Sequence, residues 1–163
     1  MLIMGIDPGI AISGYGIISR EDSNCSIVEY GVIKTPAGLA TPQRLRQIHE
    51  GYLDLMEKYN PDAVAIEELY FNKNAKTIIS VGQARGAALL AAALSNIEVF
   101  EYTPLQVKQA VVCYGRADKH QVQQMIKAFF RLKELPRPDD AADALAVAVC
   151  HMNSYKLGKI LFR

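Results

Sequence analysis

Leu2-Ile3-Met4-Gly5-Ile6-Asp7-Pro8-Gly9 is a short apolar run cut off by an acid and a turn-forming pair. Its length and its Pro-Gly boundary predict a buried strand over residues 2–6 that delivers Asp7 to a tight turn. Ala63-Val64-Ala65-Ile66-Glu67-Glu68 repeats the arrangement, with a second buried strand over residues 63–66 and acids at its end. Between the two lie β-rich stretches over residues 13–20 and 25–34, separated by Glu21-Asp22-Ser23-Asn24, a connection of hairpin length. A helix is predicted over residues 42–59, where Leu45, Ile48, Tyr52, Leu55 and Met56 fall at helical spacing and Asn60-Pro61 stops it. Beyond Glu68 the pattern predicts a helix over 77–94, a strand over 99–102, and helices over 105–112, 119–132 and 139 to about 155. An antiparallel meander of three strands, followed by crossover helices that return the chain parallel, makes an α/β fold with a mixed five-stranded sheet flanked by helices. No linker, repeat or low-complexity tract divides it, so a single domain is expected over residues 1–163.

The composition suits that expectation. The chain has 163 residues, 50% of them hydrophobic and 21% charged, which excludes a disordered or fibrous design. Cys25, Cys113 and Cys150 are odd in number and in no ligand spacing, so neither a disulfide framework nor a zinc site is suggested. Residues 1–6 lack the basic start of a targeting segment, and the longest apolar stretch, residues 86–94, is too short to span a bilayer. A reducing cytoplasm is the simplest location. The net charge of +1 argues against a protein that coats nucleic acid, but it is an average over unlike segments. Residues 1–68 carry net −5, residues 69–97 carry +3 from Lys73, Lys76 and Arg85, and residues 103–133 carry +5. The average therefore hides two basic stretches beside acidic ones in sequence order.

The acids sit where chemistry is expected. Asp7 and Glu67 each end a short apolar strand, and in open α/β sheets ligand sites form at those ends. In Asp139-Asp140-Ala141-Ala142-Asp143-Ala144-Leu145, Asp140 and Asp143 are three apart and share a helical face. Asp139 fits an N-cap role, whereas Asp143 lies a turn in, among Ala and Leu, with no capping duty. Should the last helix pack beside the two strand ends, the four carboxylates would meet in one pocket and require a counter-charge. A hard divalent cation supplies it, and a pair of Mg²⁺ ions about 3.5 to 4 Å apart would polarise a scissile phosphate and activate water.

Five segments taken together resemble the RuvC family of crossover (Holliday) junction endodeoxyribonucleases. They are Gly5-Ile6-Asp7-Pro8-Gly9 with Ser13-Gly14-Tyr15-Gly16, Ala65-Ile66-Glu67-Glu68, Gly82-Gln83-Ala84-Arg85-Gly86, Gln106-Val107-Lys108-Gln109, and Asp140-Ala141-Ala142-Asp143-Ala144-Leu145. The resemblance runs along nearly the whole chain. It implies an RNase H-like fold and a homodimer that binds a four-way DNA junction, resolving it in recombination and repair by symmetric, Mg²⁺-dependent nicks. It implies Asp7, Glu67, Asp140 and Asp143 as the catalytic and metal-binding acids, with Glu67 chosen over Glu68. Two Mg²⁺ ions per site are implied, with Mn²⁺ able to substitute. DNA contacts are implied at Lys108 and Lys119, with Tyr70 stacking on an unpaired base and Lys73, Lys76 and Arg85 adding positive charge. A branch-migration complex of the RuvA and RuvB type is the implied partner. The small-residue face of residues 84–93 would allow two copies to pack closely.

Other readings stay open on the residues alone. Gly-Ile-Asp-x-Gly before a hairpin also resembles the phosphate-binding opening of actin-like ATPases and sugar kinases, although those need a second lobe that 163 residues hardly supply. A nuclease acting on another branched DNA or RNA is a further alternative, because a fold does not by itself choose a substrate. A DNA-binding relative without chemistry is disfavoured by the four acids. His120 and His151 receive no role.

Overall fold

β1 (Leu2–Asp7) runs one residue past its apolar stretch, and Asp7 stays in the ladder opposite Gly14 of β2 (Ile12–Glu21). The computed structural model describes residues 1–22, 24–69 and 75–161, with the side chains of 75–77 and 155–161 outside that description. β2 continues antiparallel into β3 (Asn24–Lys34). α1 (Thr41–Tyr59), which ends at Asn60 in the left-handed region, then carries the chain to β4 (Ala63–Glu67). β4 lies parallel to β1, and α2 (Ala75–Leu94) leads to β5 (Val99–Tyr102), parallel to β4. The sheet order is β3-β2-β1-β4-β5. Three helices follow: α3 (Pro104–Val112), α4 (Lys119–Phe129) and α5 (Asp139–Leu161).

Strand alternation splits the core into two layers. Met4, Ile6, Ile17, Val64 and Ile66 face α1 and α2, where Ile48, Tyr52, Met56, Ala84, Ala88, Ala91 and Ala92 meet them. Ile3, Ile18 and Ala65 face the other way, onto α5 and the α3 and α4 helices packed against it. α5 lies on the middle of the sheet because both surfaces are stripped of side chains. A Cβ on Gly5 would stand 2.0 Å from the Ala144 carbonyl oxygen, and one on Gly14 would stand 2.0 Å from the Asp140 carbonyl oxygen. The alanines at 141, 142, 144, 146 and 148 are fully or almost fully buried on the helix side.

Element boundaries match the expectations to within a residue or two, except at α4 and α5. α4 ends at Phe129 rather than at 132, and the Leu132 N–H turns back to the Lys127 carbonyl with Arg131 at a positive φ of 53°. α5 starts at Asp139 as expected but runs to Leu161 rather than to about 155; Asp139 stands in its first turn and not at the cap, and the Pro138 carbonyl receives the N–H of Ala141. Among the described residues, no helix is long and apolar enough to cross a membrane.

Candidate active site

The same alternation that divides the core aims the acids. Asp7 shares the parity of Ile3 and Gly5, and Glu67 shares that of Ala65, so both carboxylates project toward α5. β1 and β4 are parallel neighbours in register at Ile6 and Ile66, which sets Asp7 and Glu67 side by side at the strand ends. Glu68 lies beyond the strand and is exposed, its N–H given to the Tyr102 carbonyl at 2.8 Å. Geometry thus separates the two glutamates.

α5 brings the other pair. Its N-terminal turn passes directly over Gly14, the ladder partner of Asp7, and this places Asp140 and Asp143 above the strand ends. The four acids act on one another electrostatically. Burial, then the charges of Asp143, Glu67 and Asp140, push the Asp7 carboxyl from an ordinary 3.8 up to about 7, against a smaller opposing pull from Lys119. Glu67 is raised by burial and by Asp143, with Lys108 opposing. Asp143 is also raised, chiefly by burial, although the Lys119 ammonium beside it works the other way.

Two lysines supply the counter-charge. Lys119 Nζ lies 2.8 Å from Asp143 Oδ2 and 3.7 Å from Asp139 Oδ2, so Asp139 is an ion-pair partner here. Lys108 and Lys119, with Glu67 and Asp143, line a cleft of about 180 Å³ floored by Pro104, Val107, Val122 and Ala146. Both lysines stand on helices with closed N-termini. Thr103 accepts from the Gln106 N–H at 3.2 Å while Gln106 Oε1 receives the Thr103 N–H at 2.8 Å. Asp118 and Gln121 repeat the exchange at the start of α4, at 2.8 and 2.9 Å. These are capping boxes, and the spacings Thr-x-x-Gln and Asp-x-x-Gln already signal them in the sequence.

The carboxylates of Asp7, Glu67, Asp140 and Asp143 are a hard-oxygen donor set suited to a divalent cation. Among the described residues, no three acids, histidines or cysteines already stand as a closed cation cage. Lys119 engages an oxygen of Asp143. The donor chemistry fits a hard divalent cation.

The remaining expected contacts fall elsewhere. Arg85 is 14% exposed and paired with Glu101, which braces α2 against β5. Tyr70 and Lys73 lie outside the described residues, and Lys76 is described in its backbone alone, within α2. His151 is buried, hydrogen-bonded through Nδ1 to the Tyr102 hydroxyl at 2.7 Å and packed on Phe100. The small-residue face of α2 is corrected. Ala84, Ala88, Ala91 and Ala92 point into the core, and the outward stripe is Ile79, Gln83, Gly86, Leu90 and Leu94.

Residues 3–151 match the family model described as crossover junction endodeoxyribonuclease RuvC. A protein of that name from Alkaliphilus metalliredigens is 60% identical over 154 residues, 94% of this chain and 94% of the relative. One from Halothermothrix orenii is 53% identical over 159 residues, 98% of this chain and 96% of the relative. The solved structure of Thermus thermophilus RuvC in complex with Holliday junction substrate superposes with a TM-score of 0.92 at 36% identity, covering 97% of this chain and 96% of that one.

Proposed function

The chain belongs to the RuvC family of crossover junction endodeoxyribonucleases, and from that premise we propose that it resolves four-way DNA junctions by divalent-metal-dependent phosphodiester hydrolysis. What carries the reading is one observation: Asp7 and Glu67 at adjacent strand ends lie under the Asp140–Asp143 turn of α5, beside a cleft walled by two lysines. Family membership also sets aside the actin-like and sugar-kinase alternatives.

In this reading Asp7, Glu67, Asp140 and Asp143 hold the cation, Mg²⁺ by preference because carboxylate oxygens are hard, with two ions per site and Mn²⁺ able to replace them. Bound there, the metal lowers the pKa of a water and offsets the charge that develops on the phosphate. The chain's own residues do the rest. Lys108 and Lys119 hold the phosphate backbone across the cleft, and the apolar floor of Val107, Val122 and Ala146 keeps bulk water from its base. Lys119 can turn from Asp143 to a phosphate once the acids are otherwise compensated. Tyr70 would stack on an unpaired base, and Lys73, Lys76 and Arg85 would add positive charge along the backbone path.

Two symmetric cuts suit a C2 homodimer. Its interface is assigned to the outward stripe of α2, where Leu90 and Leu94 are more than half exposed and Gly86 has open space around it, so two helices can approach closely. A cytoplasmic location, a single domain over residues 1–163, and a branch-migration partner of the RuvA and RuvB type complete the proposal.

The test compares cutting of a four-way junction, a linear duplex and an RNA–DNA hybrid, with and without Mg²⁺. Junction-selective, Mg²⁺-dependent paired nicks are expected, and they should be lost in Asp7→Asn, Glu67→Gln and Asp143→Asn while junction binding persists. Equal cutting of all three substrates would overturn the substrate assignment.

A further inference from the structure

Ser13 of β2 and Tyr52 of α1 are both fully buried on the sheet face opposite the acids, yet each carries a hydroxyl. Burying a hydroxyl without a partner is costly, so their placement needs a reason. Their hydrogen bonds form a directed relay. The Tyr52 hydroxyl donates to the Gly14 carbonyl at 3.0 Å. Its single proton is thereby used, so the 2.7 Å contact between Ser13 Oγ and Tyr52 Oη has serine as donor. Ser13 Oγ is then left to accept, and it receives the Gly9 N–H at 3.3 Å.

The two ends of the relay flank Asp7. Gly9 is the last residue of the Asp7-Pro8-Gly9 turn, and Gly14 is the ladder partner of Asp7. Gly14 is also the point on which the Asp140 backbone rests. One chain of three hydrogen bonds thus ties the turn after Asp7 to the strand beside it and to the seat of α5. A neutral buried network satisfied in this way rigidifies what it connects.

We propose that Ser13 and Tyr52 are positioning residues that hold the Asp7 turn and the Asp140 seat in the relative placement a divalent cation needs. The inference rests on the reading of Asp7 and Asp140 as metal-holding acids. Neither hydroxyl touches cation or substrate; both act through the backbone of residues 9 and 14. The Tyr52 ring packs in the core independently of its hydroxyl, so Tyr52→Phe removes the relay's middle and keeps the packing.

The experiment titrates Mn²⁺ alone into the full chain without DNA and measures junction Kd and kcat for the parent, Tyr52→Phe, Ser13→Ala, Ser13→Thr and Asp7→Asn. Loss of about one buried neutral hydrogen bond should weaken Mn²⁺ affinity about fivefold to tenfold in Tyr52→Phe and Ser13→Ala. kcat should fall by a similar factor, with junction Kd moving less than about twofold, and Ser13→Thr should recover most of the loss. The proposal is overturned if both relay variants bind Mn²⁺ and turn over like the parent while Asp7→Asn does not. It is also overturned if junction affinity falls in step with kcat at unchanged Mn²⁺ affinity, the sign of general loosening. Should Asp7→Asn itself bind Mn²⁺ and cut normally, the assignment of Asp7 fails first.

Discussion

Asp7 is the residue at which burial and charge conflict most. Its carboxyl titrates near 7 in the folded chain against an ordinary 3.8, so between those values the folded state binds the extra proton. The stability associated with that proton is therefore present at low pH and is lost as pH rises toward and through 7. In EDTA at pH 8, Asp7→Asn is expected to stabilise the chain by about 2 to 4 kcal/mol in urea unfolding, and in a separate assay with Mg²⁺ it is expected to abolish cleavage. An unchanged or lower midpoint would show that the acids are not in electrostatic conflict. His151 works in the opposite direction. Burial lowers its pKa, so the unfolded chain takes up the proton first and stability falls as pH drops below about 6.5. An NMR titration should place its imidazole midpoint below the ordinary value. At this scale the sequence was read correctly where the local pattern was unambiguous: an acid ending an apolar strand is visible in residues 2–9. It misled at Asp139. An N-cap habit is a general property, whereas the ion pair to Lys119 depends on how α5 packs against the preceding helix α4.

α5 is the element on which the site depends, and its seat is backbone against backbone. Gly5→Ala or Gly14→Ala would push a methyl into a carbonyl oxygen of α5 and lift the helix, at a cost of about 3 kcal/mol or more. Denaturation should report that loss, and any residual folded protein should bind Mn²⁺ weakly although all four acids are intact. Retention of parental stability in both variants would refute the close seat. α3 and α4 act as lysine carriers with capped starts. Asp118→Ala is expected to cost about 1 kcal/mol, read by urea unfolding, and to loosen Lys119 at the first position of α4. Helix existence and most boundaries were legible because apolar spacing and caps are local. The inward turn of Ala84, Ala88, Ala91 and Ala92 was not, since small residues serve a buried face and a close interface equally well.

At the scale of the whole molecule, charge is segregated: acids at the strand ends, lysines on α3 and α4. Lys108→Ala and Lys119→Ala should each weaken junction binding and reduce the slope of log Kd against log salt by about 0.9, the value for one phosphate contact. A slope identical to the parent's would remove that lysine from the interface. Leu90→Glu, on the exposed stripe of α2, is expected to give monomers by light scattering and to cost paired nicking more than binding of one arm. A Leu90→Glu dimer as stable as the parent would place the interface elsewhere. The sequence by itself determined the order of strands and helices, the two acids at strand ends, the pair on the last helix and the family resemblance, because each is written in neighbouring residues or in spacing along the chain. Only the tertiary structure decided that alternation turns Asp7 and Glu67 to the same face, that glycines let α5 descend onto them, that Lys119 meets Asp143, and that a buried serine–tyrosine relay underlies the turn. Those relations join residues dozens of positions apart, and the packing of sheet against helix, rather than any local preference, brings them within reach.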